Sequence, residues 1–267
     1  MNLLHALILG IIQGLTEFIP VSSTAHLLIG QQVFGIPIDN AMFSFLVIVQ
    51  LGTLVSLFAF YWKDLLSIAK ATLNFQQSTP ERNLGIYIIV ATIPALIAGY
   101  LLKDAVEGLF SQPMLQASIR LFSAAILLTL AESLSKKNRK LDSMTWLDAL
   151  IVGLFQIISV FPGASRSGST ISGGMFRGLD RVSAARFAFL ISVPVMLAAG
   201  GYEMLDVIQM PNFGGFLPLL AVGFVAAAVV GWMAIKWLID YLSNHSLYVF
   251  AGYCAIVGIV CLANYLT

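Results

Sequence analysis

Charge is what this sequence has least of. Fourteen Lys and Arg and thirteen Asp and Glu make up 10% of 267 residues, against 59% hydrophobic residues and a mean hydropathy of +0.91. That balance excludes a soluble domain with a polar surface and fits a chain whose solvent is the bilayer. The formal net charge of +1 and the scatter of basic residues over short connections give no reason to expect nucleic acid as a partner. Cysteine is nearly absent as well. Cys254 and Cys261 lie seven apart in one apolar run and say little about redox compartment. The N-terminus lacks the basic start and small-residue cleavage site of a signal peptide, so the mature chain is expected to begin at Met1.

Long apolar runs are abundant instead. Six are long enough to cross about 30 Å of hydrocarbon as helices: residues 41–62, 84–102, 114–134, 187–205, 216–238 and 247–266. Two more, "LLHALILGIIQGL" (3–15) and "LDALIVGLFQIISVF" (147–161), are short for a span and run into a proline followed by serines. Pro20 and Pro162 sit where a first half-helix should end. The length suits re-entrant elements that dip into the membrane and return; the alternative is that each joins its continuation as one kinked span.

The short runs resemble one another. Gly10 falls on Gly153 and Gln13 on Gln156; with one residue removed, Pro20 falls on Pro162, Ser23 on Ser165 and Thr24 on Arg166. Each is followed by three spans, which predicts one membrane domain over 1–267 built from two copies of a unit, about 1–135 and 146–267. Three crossings per copy turn the second copy upside down, so the expected fold is all-α and integral to the membrane: six transmembrane helices, two re-entrant helical hairpins and an inverted-topology repeat.

Basic residues agree with that topology. Lys63, Lys70, Arg82, Lys136, Lys137, Arg139, Lys140, Arg177, Arg181, Arg186 and Lys236 fall on one face, whereas the N-terminal face keeps Lys103, with Arg120 near it inside a span. The crowded face is expected to be cytoplasmic and both termini outside. The first hairpin then enters from outside, the second from the cytoplasm, and their tips are expected to meet near the midplane.

Irregular backbone at that depth must be covered by protein or line a polar cavity, and ionisable groups there point to function. Gln13 and Glu17 are four apart on one helix face, an oxygen pair suited to a divalent cation; the plainer alternative is a carboxylate that only bonds its neighbours. Ser22, Ser23 and Thr24 stand where a second half-helix should start, with His26 one turn on. Capping explains one hydroxyl, while three beside an imidazole also offer a nucleophile and donors at an anion-attracting helix N-terminus. His5 and His245 lack such company. The second tip, "PGASRSGSTISGG", places glycines and hydroxyls around Arg166, whose fixed fork matches phosphate oxygens. Ser165, Ser167 and Thr170 read as supporting donors or caps. Where the first copy has Glu17 and His26 the second has Val160 and Gly168, so acid–base groups come from one hairpin and the anion clamp from the other.

"QGLTEFIPVSSTAH" and "PGASRSGSTISGG" closely resemble the two signature motifs of the undecaprenyl-diphosphate phosphatases, the bacitracin-resistance family of bacterial inner-membrane enzymes. In length and segment order the resemblance covers essentially the whole chain. It implies removal of the terminal phosphate of undecaprenyl diphosphate, which recycles the carrier lipid for peptidoglycan synthesis, with Mg²⁺ or Ca²⁺ as divalent cofactor. Gln13 and Glu17 match the family's metal-binding signature; many members have glutamate at the first of these positions, so one carboxylate ligand is replaced by an amide here. Onto Ser23, His26 and Arg166 carry the nucleophilic or substrate-binding serine, the catalytic histidine and the phosphate-binding arginine, and Ser22, Thr24, Ser165, Ser167 and Thr170 match secondary positions.

The substrate head is expected to enter from the outer, periplasmic face with its prenyl tail left in membrane lipid. Ser23 attack and attack by a metal-bound water stay open, as does the choice of Glu17 or His26 as base. The rival function is a transporter or flippase of prenyl phosphate lipid, suggested by the inverted repeat and by Pro94 and Pro194 inside spans. Small residues such as "GFVAAAVVG" (223–231) permit close helix packing within the chain or in a homodimer.

Overall fold

Helices form wherever the apolar runs predict them. The computed structural model describes residues 1–37, 39–74, 79–107, 112–159, 164–209 and 213–267. In chain order the helices are α1 (Leu3–Phe18), α2 (Ser23–Phe34), α3 (Asn40–Leu73), α4 (Pro80–Glu107), α5 (Pro113–Leu134), α6 (Trp146–Ile158), α7 (Arg166–Phe176), α8 (Arg181–Ile208), α9 (Phe213–Leu242) and α10 (Tyr248–Leu266), with a 3-10 turn at Leu141–Ser143. Among the described residues there is no strand, only an isolated bridge between Arg139 and Leu179. Among the described residues six helices, α3, α4, α5, α8, α9 and α10, are long and apolar enough to cross a membrane, while α1 and α6 are shorter apolar helices.

Local chemistry sets the ends. Asn2 caps α1 by accepting from His5 N at 2.9 Å, and Asp39 caps α3 by accepting from Met42 N at 2.8 Å. Gly35 closes α2 at φ 60°, a left-handed position that suits a residue without Cβ. α1 stops at Phe18, two residues before Pro20; Pro162 lies outside the described residues. α3 runs well beyond the predicted span and bends at Tyr61, whose φ −105° and ψ 19° leave the helical region. Pro94 and Pro194 lie inside α4 and α8.

Glycine permits the closest helix contacts. A Cβ on Gly10 would stand 2.5 Å from the carbonyl oxygen of Gly223, and one on Gly14 would stand 2.9 Å from that of Ala227. α1 therefore lies backbone to backbone on α9, and the small residues of 223–231 serve packing inside the chain. α6 meets α4 in the same manner, since a Cβ on Gly153 would come within 2.6 Å of the Ala91 carbonyl oxygen. α5 packs on α10, α3 on α8, and α2 and α7 both reach α5. The main core draws Phe18, Leu57, Leu121, Phe187 and Phe189 together, whereas Leu101, Ile126, Val225 and Ile256 remain exposed on the spans, as a lipid-facing surface requires.

Away from this core, buried carboxylates tie down the connection between α5 and α6. Asp148, fully buried, accepts from Arg139 Nη2 and Arg177 Nε, each at 2.7 Å, and completes a capping box with Thr145. Burial alone would raise this carboxyl, but the two guanidinium groups outweigh it and hold Asp148 below the usual carboxylate range. Glu132 likewise accepts from Arg181, from Lys137 Nζ at 3.0 Å and from the Leu247 backbone N–H at 3.1 Å.

Candidate active site

The break between α1 and α2 builds half of the site. Val21 N donates to Ile19 O at 2.7 Å, and Ser22 then takes φ 68° and ψ 94°, a positive φ that a non-glycine residue holds only at a cost of about 1–3 kcal/mol. This twist leaves Ser22 Oγ capping α2 through Ala25 N at 3.5 Å. It also turns the Ser22 carbonyl oxygen toward His26, whose backbone N lies 3.3 Å away and whose Nδ1 lies 2.9 Å away.

Glu17, on the last turn of α1, is the hub. It is 7% exposed and accepts from Gln13 Nε2 at 2.9 Å and from Ser23 Oγ at 2.7 Å on one oxygen, and from the Arg166 guanidinium on the other. An uncompensated carboxylate at this burial would be costly; three donors and a full counter-charge account for its place here. Gln13 Nε2 also reaches Thr53 Oγ1 on α3 at 3.5 Å, and Arg166 contacts the Met196 sulfur on α8 at 3.3 Å. The cluster is thus walled by α1, α2, α3, α7 and α8.

The other half comes from α7. Ser165 caps it through Gly168 N at 3.2 Å, so Arg166 is the first helical residue of α7. Ser167 Oγ approaches both Ser165 Oγ at 3.4 Å and the Ile19 carbonyl oxygen at 3.5 Å, joining α7 to the break after α1. Thr170 Oγ1 turns back to the Arg166 carbonyl at 2.8 Å and steadies the first turn. Arg120, within α5, donates to the Ala164 carbonyl at 3.2 Å just ahead of the Ser165 cap.

The first residues of two helices, bearing the half-buried Ser23 hydroxyl and the Arg166 guanidinium, therefore converge on one carboxylate from segments some 140 residues apart. Such a constellation can hold an anion and remove a proton from a hydroxyl beside it. Ser23 is aimed at Glu17. His26 is not: among the described residues its ring nitrogens bond only the Ser22 carbonyl and the hydroxyl of Tyr253, the latter at 2.7 Å. Thr24 is exposed on α2 and, among the described residues, makes no hydrogen bond to the cluster. Tyr253, Thr53 and Met196 escaped the reading of the sequence, because a tyrosine, a threonine and a methionine within apolar spans carry no signal until the helices are placed.

For a cation, the side chains at hand are the Glu17 carboxylate, the Gln13 amide and the Thr53 hydroxyl. No group of three His, Cys, Asp or Glu gathers anywhere among the described residues. The Gln13 amide now turns Nε2 toward Glu17 and Thr53; rotated so that its oxygen faces them instead, it completes a hard-oxygen set with one carboxylate that fits Mg²⁺ or Ca²⁺ when phosphate oxygens of a ligand complete the shell.

The chain matches the bacitracin resistance protein BacA family over residues 6–260. It is 40% identical over 261 residues to an undecaprenyl-diphosphatase of Mycobacterium marinum, covering 95% of this chain and 91% of that one. An undecaprenyl-diphosphatase of Synechococcus sp. is 39% identical over 264 residues, 96% of this chain and 91% of the relative. One of Alkaliphilus metalliredigens is 39% identical over 269 residues, with 97% of both chains covered.

Proposed function

Because the chain belongs to the BacA family of bacitracin resistance proteins, we propose that it is a membrane phosphatase. Its substrate is undecaprenyl diphosphate and its products are undecaprenyl phosphate and inorganic phosphate. The carrying observation is the convergence of Ser23 and Arg166 on the two oxygens of Glu17. A carboxylate that only neutralised a buried arginine would need no hydroxyl donating to it.

In the resting arrangement Arg166 and Glu17 satisfy each other. A diphosphate brings its own negative charge, draws the Arg166 fork to its terminal phosphate and frees Glu17 to accept the Ser23 proton. Ser23 Oγ then attacks the terminal phosphorus as its proton passes to Glu17 Oε2, already 2.7 Å away. The Oγ–P bond forms, the bridging P–O bond breaks, and undecaprenyl phosphate leaves with the bridging oxygen. Glu17 passes that proton to the departing undecaprenyl phosphate; in a second step it takes a proton from the water that attacks the phosphoserine, the Oγ–P bond breaks, and the proton returns to Ser23 Oγ as inorganic phosphate leaves. Arg166 and the N-terminus of α7 stabilise the charge spread over the phosphoryl oxygens. Gln13, Glu17 and Thr53 would hold a divalent cation, which supplies charge neutralisation at the phosphates. Ser22, Ser165, Ser167 and Thr170 shape the two helix ends, and Thr24, on the exposed side of α2, faces the approaching head group.

The same proposal extends to topology. Exchanging α1–α5 with α6–α10 turns the α1–α9 contact into α6–α4 and α3–α9 into α8–α4, and returns α5–α10 and α3–α8 to themselves; each of these pairs packs in the structure. Gly10 on α9 and Gly153 on α4 are matched in the same way. This supports an inverted repeat with α1–α2 and α6–α7 as re-entrant hairpins in the inner membrane, the site opening to the periplasmic face and both termini outside.

Purified full-length protein in detergent with undecaprenyl diphosphate and Mg²⁺ is expected to release inorganic phosphate. Silence in that assay with lipid transport in liposomes would establish the flippase reading in its place.

A further inference from the structure

We infer that Tyr253, on α10, is a positioning residue for His26. The inference rests on the proposed phosphatase function and on the catalytic role that the family resemblance implies for His26, which stands three residues after Ser23 in the first turn of α2. The two rings stack, with centroids 5.6 Å apart and planes inclined by 7°, and the Tyr253 hydroxyl meets His26 Nε2 at 2.7 Å. On the other side Nδ1 faces the Ser22 carbonyl oxygen at 2.9 Å.

Those contacts fix the tautomer. A carbonyl only accepts, so Nδ1 carries the proton in every charge state, and Nε2 is left as the nitrogen that gains or loses one. The phenol is suited to that nitrogen because it donates to a bare Nε2 and accepts from a protonated one. Ser22 holds its carbonyl in place through a strained backbone, and Tyr253 completes the clamp from the far end of the sequence, 227 residues away.

Position gives the clamp a purpose. Tyr253 is 43% exposed whereas Glu17 is 7% exposed, so the couple stands at the rim of the buried cluster and not inside it. His26 Nε2 reaches an incoming phosphate oxygen by exchanging or sharing its bond to Tyr253, while the stack keeps the ring from turning away. Tyr253 thereby sets where the imidazole meets the head group and which nitrogen it presents. Glu17 and Arg120, on α1 and α5, are bonded to other partners, and Cys254, next to Tyr253 on α10, donates to the Pro20 carbonyl at 4.0 Å.

The test uses the full chain in detergent with undecaprenyl diphosphate and Mg²⁺, reading phosphate release. Tyr253→Phe keeps the stack and removes the hydroxyl; kcat is expected to fall about tenfold with KM changed less than twofold. In a His26→Gln background the same change is expected to add almost nothing, since a residue that acts through His26 then has nothing to act on. Nitrogen NMR of labelled protein is expected to move His26 Nε2 toward an unbonded, pyridine-type value in Tyr253→Phe, a reading that needs no turnover. A wild-type kcat in Tyr253→Phe, an unmoved Nε2 resonance, or losses that multiply in the double variant overturn the inference. A wild-type rate in His26→Gln also overturns the inference, since Tyr253 then has no working imidazole to position, and it leaves the phosphatase reading standing because phosphate is still released.

Discussion

Glu17 and Arg166 stand 149 residues apart in the chain and form one ion pair, at the point where the break after α1 meets the first turn of α7. Neither hairpin is electrically complete without the other. Removing either partner leaves a charge in a site that cannot solvate it, and removes one half of the phosphate chemistry. Arg166→Ala and Glu17→Ala are each expected to cut phosphate release by at least about a hundredfold. Arg166→Lys is expected to recover part of the loss, because a point charge replaces a planar fork. Rates within twofold of wild type in either alanine variant would sink the assignment.

The close approach of α1 to α9 sets a steric limit on the same hairpin. A side chain at Gly10 meets backbone, which cannot swing aside as a flexible side chain can. Gly10→Leu is expected to destabilise the fold by at least about 1–3 kcal/mol, lower the melting temperature in detergent and depress activity through displaced α1. Gly99→Leu, where a Cβ would meet nothing within 4 Å, is the matched control and is expected to melt as the wild type does.

Asp148 gives a pH-dependent staple far from the chemistry. Its carboxyl is held below the ordinary range in the folded chain, chiefly by Arg139 and Arg177 acting against burial, so it stabilises the fold at pH values above about 4, its unfolded value. The stabilisation fades as pH falls below that value toward the depressed folded pKa. Asp148→Ala, which strands two guanidinium groups, is expected to cost roughly 3–5 kcal/mol at neutral pH. The melting gap between wild type and variant is expected to narrow on acidification; a gap independent of pH would count against this role.

Orientation is open to chemical labelling with little background, because Cys254 and Cys261 are both buried. A cysteine placed at Asn138, between Lys136 and Lys140, is expected to react with an impermeant maleimide only after the cytoplasmic side is opened. Labelling of intact cells from outside would reverse the proposed topology.

Much of the fold was legible because a span announces itself by hydropathy. α5 was expected at 114–134 and runs Pro113–Leu134, and α10 was expected at 247–266 and runs Tyr248–Leu266. α3 exceeded its expectation because hydropathy marks the apolar crossing, whereas the helix continues past Lys63 and Asp64 after its bend at Tyr61. At the site, Glu17 and Arg166 were legible because charges in apolar surroundings must find each other. Proximity in sequence made His26 as eligible as Glu17 to serve Ser23, and only the turn at Ser22 separates them: it sends the imidazole to Tyr253 and leaves Ser23 to Glu17.

The central claim is that Ser23, activated by Glu17, takes the terminal phosphate of the substrate while Arg166 holds it. The most direct measurement is an acid quench of the full chain turning over undecaprenyl diphosphate labelled in its terminal phosphate, followed by peptide mapping. Label on the peptide carrying Ser23, absent from Ser23→Ala together with phosphate release, is the predicted result. Near-wild-type phosphate release by Ser23→Ala would contradict it.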